Sequence, residues 1–143
     1  RDIKFKGVAL EIDPNCNLHL KKKFKNFPIS VSNKSIEKFS STNKFNFITI
    51  NRVLEHIFDP INYLIELKKF MSKSSFIYVE VPDSDSYYKG GSNDEAFGYG
   101  HYHVYSPGAL INIFNLAGFK VEEIKKCIEP SKKYTLFGFF KFK

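Results

Sequence analysis

Apolar and polar positions alternate along the chain in short blocks whose period switches between strand-like and helix-like. Lys6–Asp13 (KGVALEID) is an apolar run closed by acids, which predicts a buried strand. Pro14 and Asn15 open a helix through Asn17–Phe24. Phe27–Ser32 (FPISVS) predicts a second strand, followed by a polar helical turn over Lys34–Phe39 and a loop over Ser40–Lys44. Phe45–Asn51 (FNFITIN) is rich in β-branched and aromatic residues, a third strand. Asp59-Pro60 is a helix start, and Ile61, Leu64, Ile65, Leu67 and Phe70 recur at helical spacing through Met71. Ser72–Ser75 breaks that helix, and Phe76–Pro82 (FIYVEVP) predicts a fourth strand buried on both faces.

Asp83–Gly100 is long, polar and aromatic, and a loop of that length within a compact domain is usually functional or disordered. Ser106-Pro107 caps a helix carrying Leu110, Ile113, Phe114 and Leu116, and Gly118 ends it. Lys120–Glu129 and Lys133–Lys143 are two closing strands, linked too tightly at Pro130-Ser131 for a helical crossover and therefore antiparallel. The order predicts an α/β domain: a mostly parallel sheet, helices on both faces, and a C-terminal antiparallel pair. Ligands bind such sheets at the carboxyl ends of the strands, here Glu11–Asp13, Ser32–Asn33, Asn51–Val53 and Asp83 onward.

Composition narrows the class. The 143 residues suit a single domain, residues 1–143, with 83–105 as a substrate or lid loop. Apolar residues make up 43% and charged residues 26%, the balance of a soluble globular protein. No apolar run reaches the ~20 residues of a membrane span, and RDIKFKG has no apolar signal core behind it. Cytoplasm is the expected compartment. Cys16 and Cys127 have no metal-ligand spacing and read as reduced, structural cysteines. The net charge of +7 comes from scattered lysines on solvated faces, so no nucleic-acid partner is expected, although an anionic substrate fits it.

FNFITINRVLEHIFDPINYLIELKKF resembles the segment after the fourth strand of class I S-adenosylmethionine-dependent methyltransferases, through Leu54-Glu55-His56 and Asp59-Pro60. SKSSFIYVEVPD is similar to that family's turn and fifth strand, and HYHVYSPGALINIFNLAGFKVEEI to its later stretch ending in Ala-Gly-Phe. GVALEIDPN resembles the family's second strand. That resemblance implies a Rossmann-like fold and S-adenosylmethionine as cofactor. It puts Glu11 and Ile12 at the cofactor's ribose, where a carboxylate can accept from both hydroxyls. Asn33 falls where an aspartate usually contacts the adenine, and Asn51, Arg52 and Val53 fall near the methionine part. Asn46 and Ser74-Ser75 depart from the usual residues. The family's glycine-rich loop has no counterpart before Glu11, so an N-terminally truncated domain is expected, whose exposed sheet edges allow a homodimer. The competing reading makes GVALEID the central first strand, and direct pairing of Val8–Ile12 with Ile48–Ile50 would decide for it.

The candidate catalytic residues are His101 and His103. Methyl transfer requires aligning the nucleophile and removing its proton, a base role that suits histidine near neutral pH. In a strand-like stretch the two would face one side, as base and orienter; the alternative is that one packs and the other is solvated. His56 and Glu55 read as residues shaping the turn. A metal pair at His101 and His103 ranks third, and no metal is expected. Tyr87, Tyr88, Phe97, Tyr99, Tyr102 and Tyr105 could form a lid over a planar or sugar substrate, or simply pack. The expected function is S-adenosylmethionine-dependent methyl transfer to a small metabolite, with a sugar or nucleotide-linked sugar favoured. The alternative is a non-catalytic, methyltransferase-like module that does not bind the cofactor by itself.

Overall fold

The computed structural model describes residues 5–86, 89 and 98–143. It divides into two compact units, Arg1–Ser41 and Thr42–Lys143.

The first unit is one βαβ motif. β1 (Gly7–Leu10) runs parallel to β2 (Ile29–Ser32), with Gly7 opposite Ile29 and Leu10 opposite Ser32. Between them lies α1 (Pro14–Lys23). Its start is chemically specified: the Asp13 carboxylate accepts from the Cys16 N–H at 2.8 Å, and Pro14 sits where no N–H is needed. Lys21, Lys22 and Lys23 face the negative end of the helix dipole. Asn17 is buried and donates through Nδ2 to the Glu11 carbonyl at 3.0 Å, tying the helix to the end of β1. Burial of β1 is lighter than its composition suggests: Val8 and Leu10 are exposed while Gly7 and Ala9 are half-buried. Among the described residues β1 and β2 form a two-stranded sheet. The expected helical turn over Lys34–Phe39 is present, closed by the Phe39 N–H donating to the Ser35 carbonyl at 2.9 Å.

The second unit holds a four-stranded sheet in the order β3-β4-β6-β5. β3 (Phe45–Asn51) and β4 (Met71–Pro82) are parallel, joined through α2 (Pro60–Leu67) and a 3-10 turn at Lys68–Phe70. α3 (Pro107–Leu116) precedes β5 (Phe119–Ile128), and β6 (Tyr134–Phe142) is antiparallel to both of its neighbours. The sheet is therefore mixed, and it contains the expected C-terminal antiparallel pair. The reason is the tight turn after β5, where Lys132 takes φ 66° and its N–H donates to the Glu129 carbonyl at 2.8 Å. The chain reverses there, and β6 inserts between β4 and β5 instead of crossing over.

The helix ends before Ser72–Ser75 as expected, but the segment is itself strand, since β4 begins at Met71 rather than Phe76. Its hydroxyls make this possible: Ser75 Oγ donates to the Phe45 carbonyl at 2.6 Å and accepts from the Ser72 N–H at 2.8 Å, beside a register shift between Phe45 and Phe47. Further along β4, Ile77, Val79 and Val81 are fully buried, whereas Tyr78 and Glu80 on the opposite face are half-buried. Leu64 of α2, Leu110 and Phe114 of α3, and Leu136 and Phe140 of β6 are fully buried with Ile77, Val79 and Val81, Phe140 opposite Ile77 and Leu136 opposite Val81 in the ladder. Phe114 stacks on Phe140 at 3.5 Å and meets Phe119 edge-on at 5.7 Å. Gly118 ends α3 at φ 80°, a conformation that favours glycine. Among the described residues no helix is long and apolar enough to cross a membrane.

Candidate active site

At the carboxyl end of β3 the chain leaves the sheet through Arg52, whose φ of 53° is unusual for a side chain of that size. Its N–H donates to the Glu80 carbonyl at 3.0 Å, so the last ladder bond is kept while the backbone turns. Leu54–His56 then forms a 3-10 turn, held from the far side by residues 102–105. The Tyr102 and His103 N–H groups both donate to the Glu55 carbonyl, at 2.9 and 3.3 Å. The Tyr105 hydroxyl donates to the Leu54 carbonyl at 3.3 Å. Burial, and then the charge of Glu55, push the Tyr105 phenol well above its ordinary range, which keeps it a neutral donor.

This clamp builds a cleft of about 420 Å³, lined by Arg52, Glu55, His56, Pro82, Gly98, His101, Glu129 and Lys133. Small-molecule sites commonly occupy about 300–1,000 Å³. A Glu55 carboxylate oxygen and a ring nitrogen from each of His56 and His101 lie within 4.8 Å of one another. The two imidazoles meet edge-on at 4.7 Å, and His56 Nδ1 bonds to the Gly100 carbonyl at 3.0 Å. Glu55 is 2% exposed, and burial raises its pKa against the opposing pull of its own backbone bond, the two histidines and Arg52. A carboxyl raised by burial in a cleft is a candidate for proton transfer. Of the two expected catalytic histidines, only His101 lines this cleft; the His103 ring bonds through Nε2 to the Phe58 carbonyl at 3.1 Å. Phe58, Tyr99 and Tyr102 expose their rings, while Tyr105 is core. Tyr87, Tyr88 and Phe97 lie outside the described residues.

A family model described as a methyltransferase domain matches residues 1–124, most of the chain. The chain belongs to this methyltransferase family. No curated protein matches its sequence. Among solved structures it is similar to the N-methyltransferase NodS from Bradyrhizobium japonicum WM9, with a TM-score of 0.73 at 14% identity, covering 96% of this chain and 73% of that one. NodS is also solved in complex with S-adenosyl-L-homocysteine. It is likewise similar to an S-adenosylmethionine-dependent methyltransferase from Clostridium acetobutylicum ATCC 824 (TM-score 0.72, 10% identity, 96% of this chain, 75% of that one). A third likeness is to the 1,6-didemethyltoxoflavin-N1-methyltransferase from Burkholderia thailandensis, with its substrate and S-adenosylhomocysteine bound (TM-score 0.70, 13% identity). That match covers 95% of this chain and 61% of that one. At such identities the likeness carries the fold, and the family match carries the membership. The expected cofactor, S-adenosylmethionine, agrees with both.

In the methyltransferase domain the expected cofactor residues fall in both units. Glu11 and Asn33 directly follow the paired strands β1 and β2, so the register Leu10 opposite Ser32 sets them side by side. Glu11 Oε1 accepts from the Asp13 N–H at 2.8 Å, which fixes the carboxylate at the strand end; Ile12 is 68% exposed. In the second unit Asn51 closes β3 and Val53 is exposed.

Arg52 is committed elsewhere, its guanidinium donating to Glu129 and Thr135 beyond β5. Sequence reasoning did not find this pairing, since 77 positions separate Arg52 from Glu129 and no local pattern links them. The Thr135 hydroxyl first, then Arg52, holds the Glu129 carboxyl down to about 2. A depressed acid stabilises the fold above its unfolded value of 4.5 and loses that contribution as pH falls through about 2. Glu129→Gln is therefore expected to be less stable than the parent at neutral pH. The gap should close between about 4.5 and about 2, as chemical denaturation at stepped pH would show.

Proposed function

We propose that this methyltransferase domain transfers the methyl group of S-adenosylmethionine to a small metabolite, with a sugar or nucleotide-linked sugar as the favoured acceptor. The observation that carries the reading is the Glu55–His56–His101 cluster in a cleft at the carboxyl end of β3, the end of such sheets where ligands bind. The named relatives support small acceptors: one carries 1,6-didemethyltoxoflavin. Lys133 in the cleft wall suits an anionic group on the acceptor.

The cofactor fits the residues that the first unit offers. Glu11 brings an acceptor-only carboxylate, matched to a ribose diol, and the neighbouring Asn33 brings an amide for the adenine edge. Asn51 and Val53 are assigned to the methionine part, and Ile12 to the ribose side. Bound S-adenosylmethionine supplies a methyl carbon activated by a positive sulfonium. The protein's share is then alignment and proton removal. His101 is assigned the acceptor's proton, Glu55 sets the charge around it, and His103 positions the segment through its bond to Phe58. The exposed rings of Phe58 and Tyr102, edge-on at 5.7 Å, offer a stacking face for a sugar or planar substrate.

Cytoplasmic location and self-association through a sheet edge belong to the same proposal. The coding sequence upstream of Arg1 tests the expected glycine-rich loop. The function itself is tested by incubating the protein with methyl-labelled S-adenosylmethionine and a panel of sugars and nucleotide-linked sugars. Acceptor-dependent formation of S-adenosylhomocysteine is expected. Cofactor binding with no turnover on any small acceptor would favour the non-catalytic module instead.

A further inference from the structure

We propose that Glu55, His56 and His101 together form a site for one divalent transition-metal ion of the zinc class, with open coordination positions on the cleft. Donors sharing one zinc ion at ~2.0–2.2 Å stand about 3.4 Å apart. The three donor atoms here are within 4.8 Å of one another, so the set must tighten to close on an ion.

Three observations favour an ion over a solvated cluster. Glu55 is 2% exposed, and among the described residues its Oε2 has no hydrogen-bond partner. A buried carboxylate oxygen without a donor is costly, and a cation removes that cost. Next, the Gly100 carbonyl can only accept, so His56 Nδ1, 3.0 Å away, carries the hydrogen. The ring's lone pair is then on Nε2, and a carbonyl orienting the other ring nitrogen is the usual support of a metal-binding histidine. Finally, the Arg52 charge, which reaches Glu55 and would oppose a cation, is partly offset by its ion pair with the Glu129 carboxylate at 2.5 Å. Two imidazoles with one carboxylate select zinc, cobalt or manganese over magnesium or calcium, which prefer all-oxygen sites.

The use of the site rests on the methyl-transfer reading above. An acceptor hydroxyl on the ion would lose its proton to water more readily. Its oxygen pair would form the bond to the methyl carbon while the carbon–sulfur pair stays on sulfur, leaving S-adenosylhomocysteine. In that state His101 is a ligand, and the ion takes over its task of making the acceptor nucleophilic.

Cobalt(II) added to the whole chain, stripped by chelator, tests the site by its visible absorption, with zinc competing in calorimetry. One ion per chain is expected. Glu55→Gln, His56→Ala and His101→Ala should each weaken binding by at least about tenfold. His101→Cys keeps a donor and should retain the ion with a new thiolate-to-metal absorption, which separates loss of a ligand from loss of the fold. His19→Ala removes the exposed histidine on α1 and should change nothing. Absence of stoichiometric binding overturns the inference, as does binding that survives His101→Ala but not His19→Ala. Full turnover by the metal-free protein also overturns it while leaving methyl transfer intact. Tight binding at these three residues without any binding of S-adenosylmethionine supports the site and sinks the functional reading.

Discussion

His101→Ala is expected to slow methyl transfer by about 10²–10⁴-fold, the usual range for removing a group that handles a proton in the transition state. Of the two histidines between Gly100 and Val104, only His101 shares the cleft with Glu55 and His56. The loss should fall on kcat, because the imidazole matters when the nucleophile's proton leaves rather than when the acceptor docks. His103→Ala should cost far less, since its ring is held by the Phe58 carbonyl. The check is the steady-state rate of S-adenosylhomocysteine formation for both variants at saturating acceptor. Equal losses would mean that the segment acts only by its shape.

Phe114→Ala is expected to destabilise the second unit by about 3–5 kcal/mol, the range for deleting a buried aromatic. Phe114 is fully buried where α3 meets the sheet, and its ring lies flat on Phe140 of β6 while Phe119 meets it edge-on. No neighbour can refill the space without moving a strand, so the cavity adds to the lost transfer free energy. Leu116→Ala, two residues along the same helix, removes a side chain that is 62% exposed and should cost under about 1 kcal/mol. Denaturant unfolding of the two variants side by side gives the comparison. A similar midpoint for both would place the core elsewhere.

The elements were legible wherever local chemistry alone decides them. Asp13-Pro14, Asp59-Pro60 and Ser106-Pro107 each cap a helix where the sequence signals it, with the side-chain bonds that the signal implies. The closing hairpin was legible from the short Pro130-Ser131 link. What no local rule contained was the placement of β6 beside β4, which makes the sheet mixed. Ser72–Ser75 ends the helix as read, but its strand character was not legible, because a strand edge has to offer its hydroxyls partners. For the candidate cofactor residues, the rule for strand ends pointed to Glu11, Asn33 and Asn51, and these do stand at the ends of β1, β2 and β3. Glu55 did not stand out as a chemical group, because its burial depends on Tyr102, His103 and Tyr105 folding back over the turn from about fifty residues away. The Arg52–Glu129 pairing is equally long-range.

Titrating S-adenosylmethionine into the purified chain by calorimetry tests the central claim most directly. Binding of one cofactor per chain is expected, weakened at least about tenfold by Glu11→Ala, which removes a charged hydrogen-bond acceptor from the ribose. S-adenosylhomocysteine should compete for the same site. No heat with either ligand, or an affinity indifferent to Glu11, would contradict it.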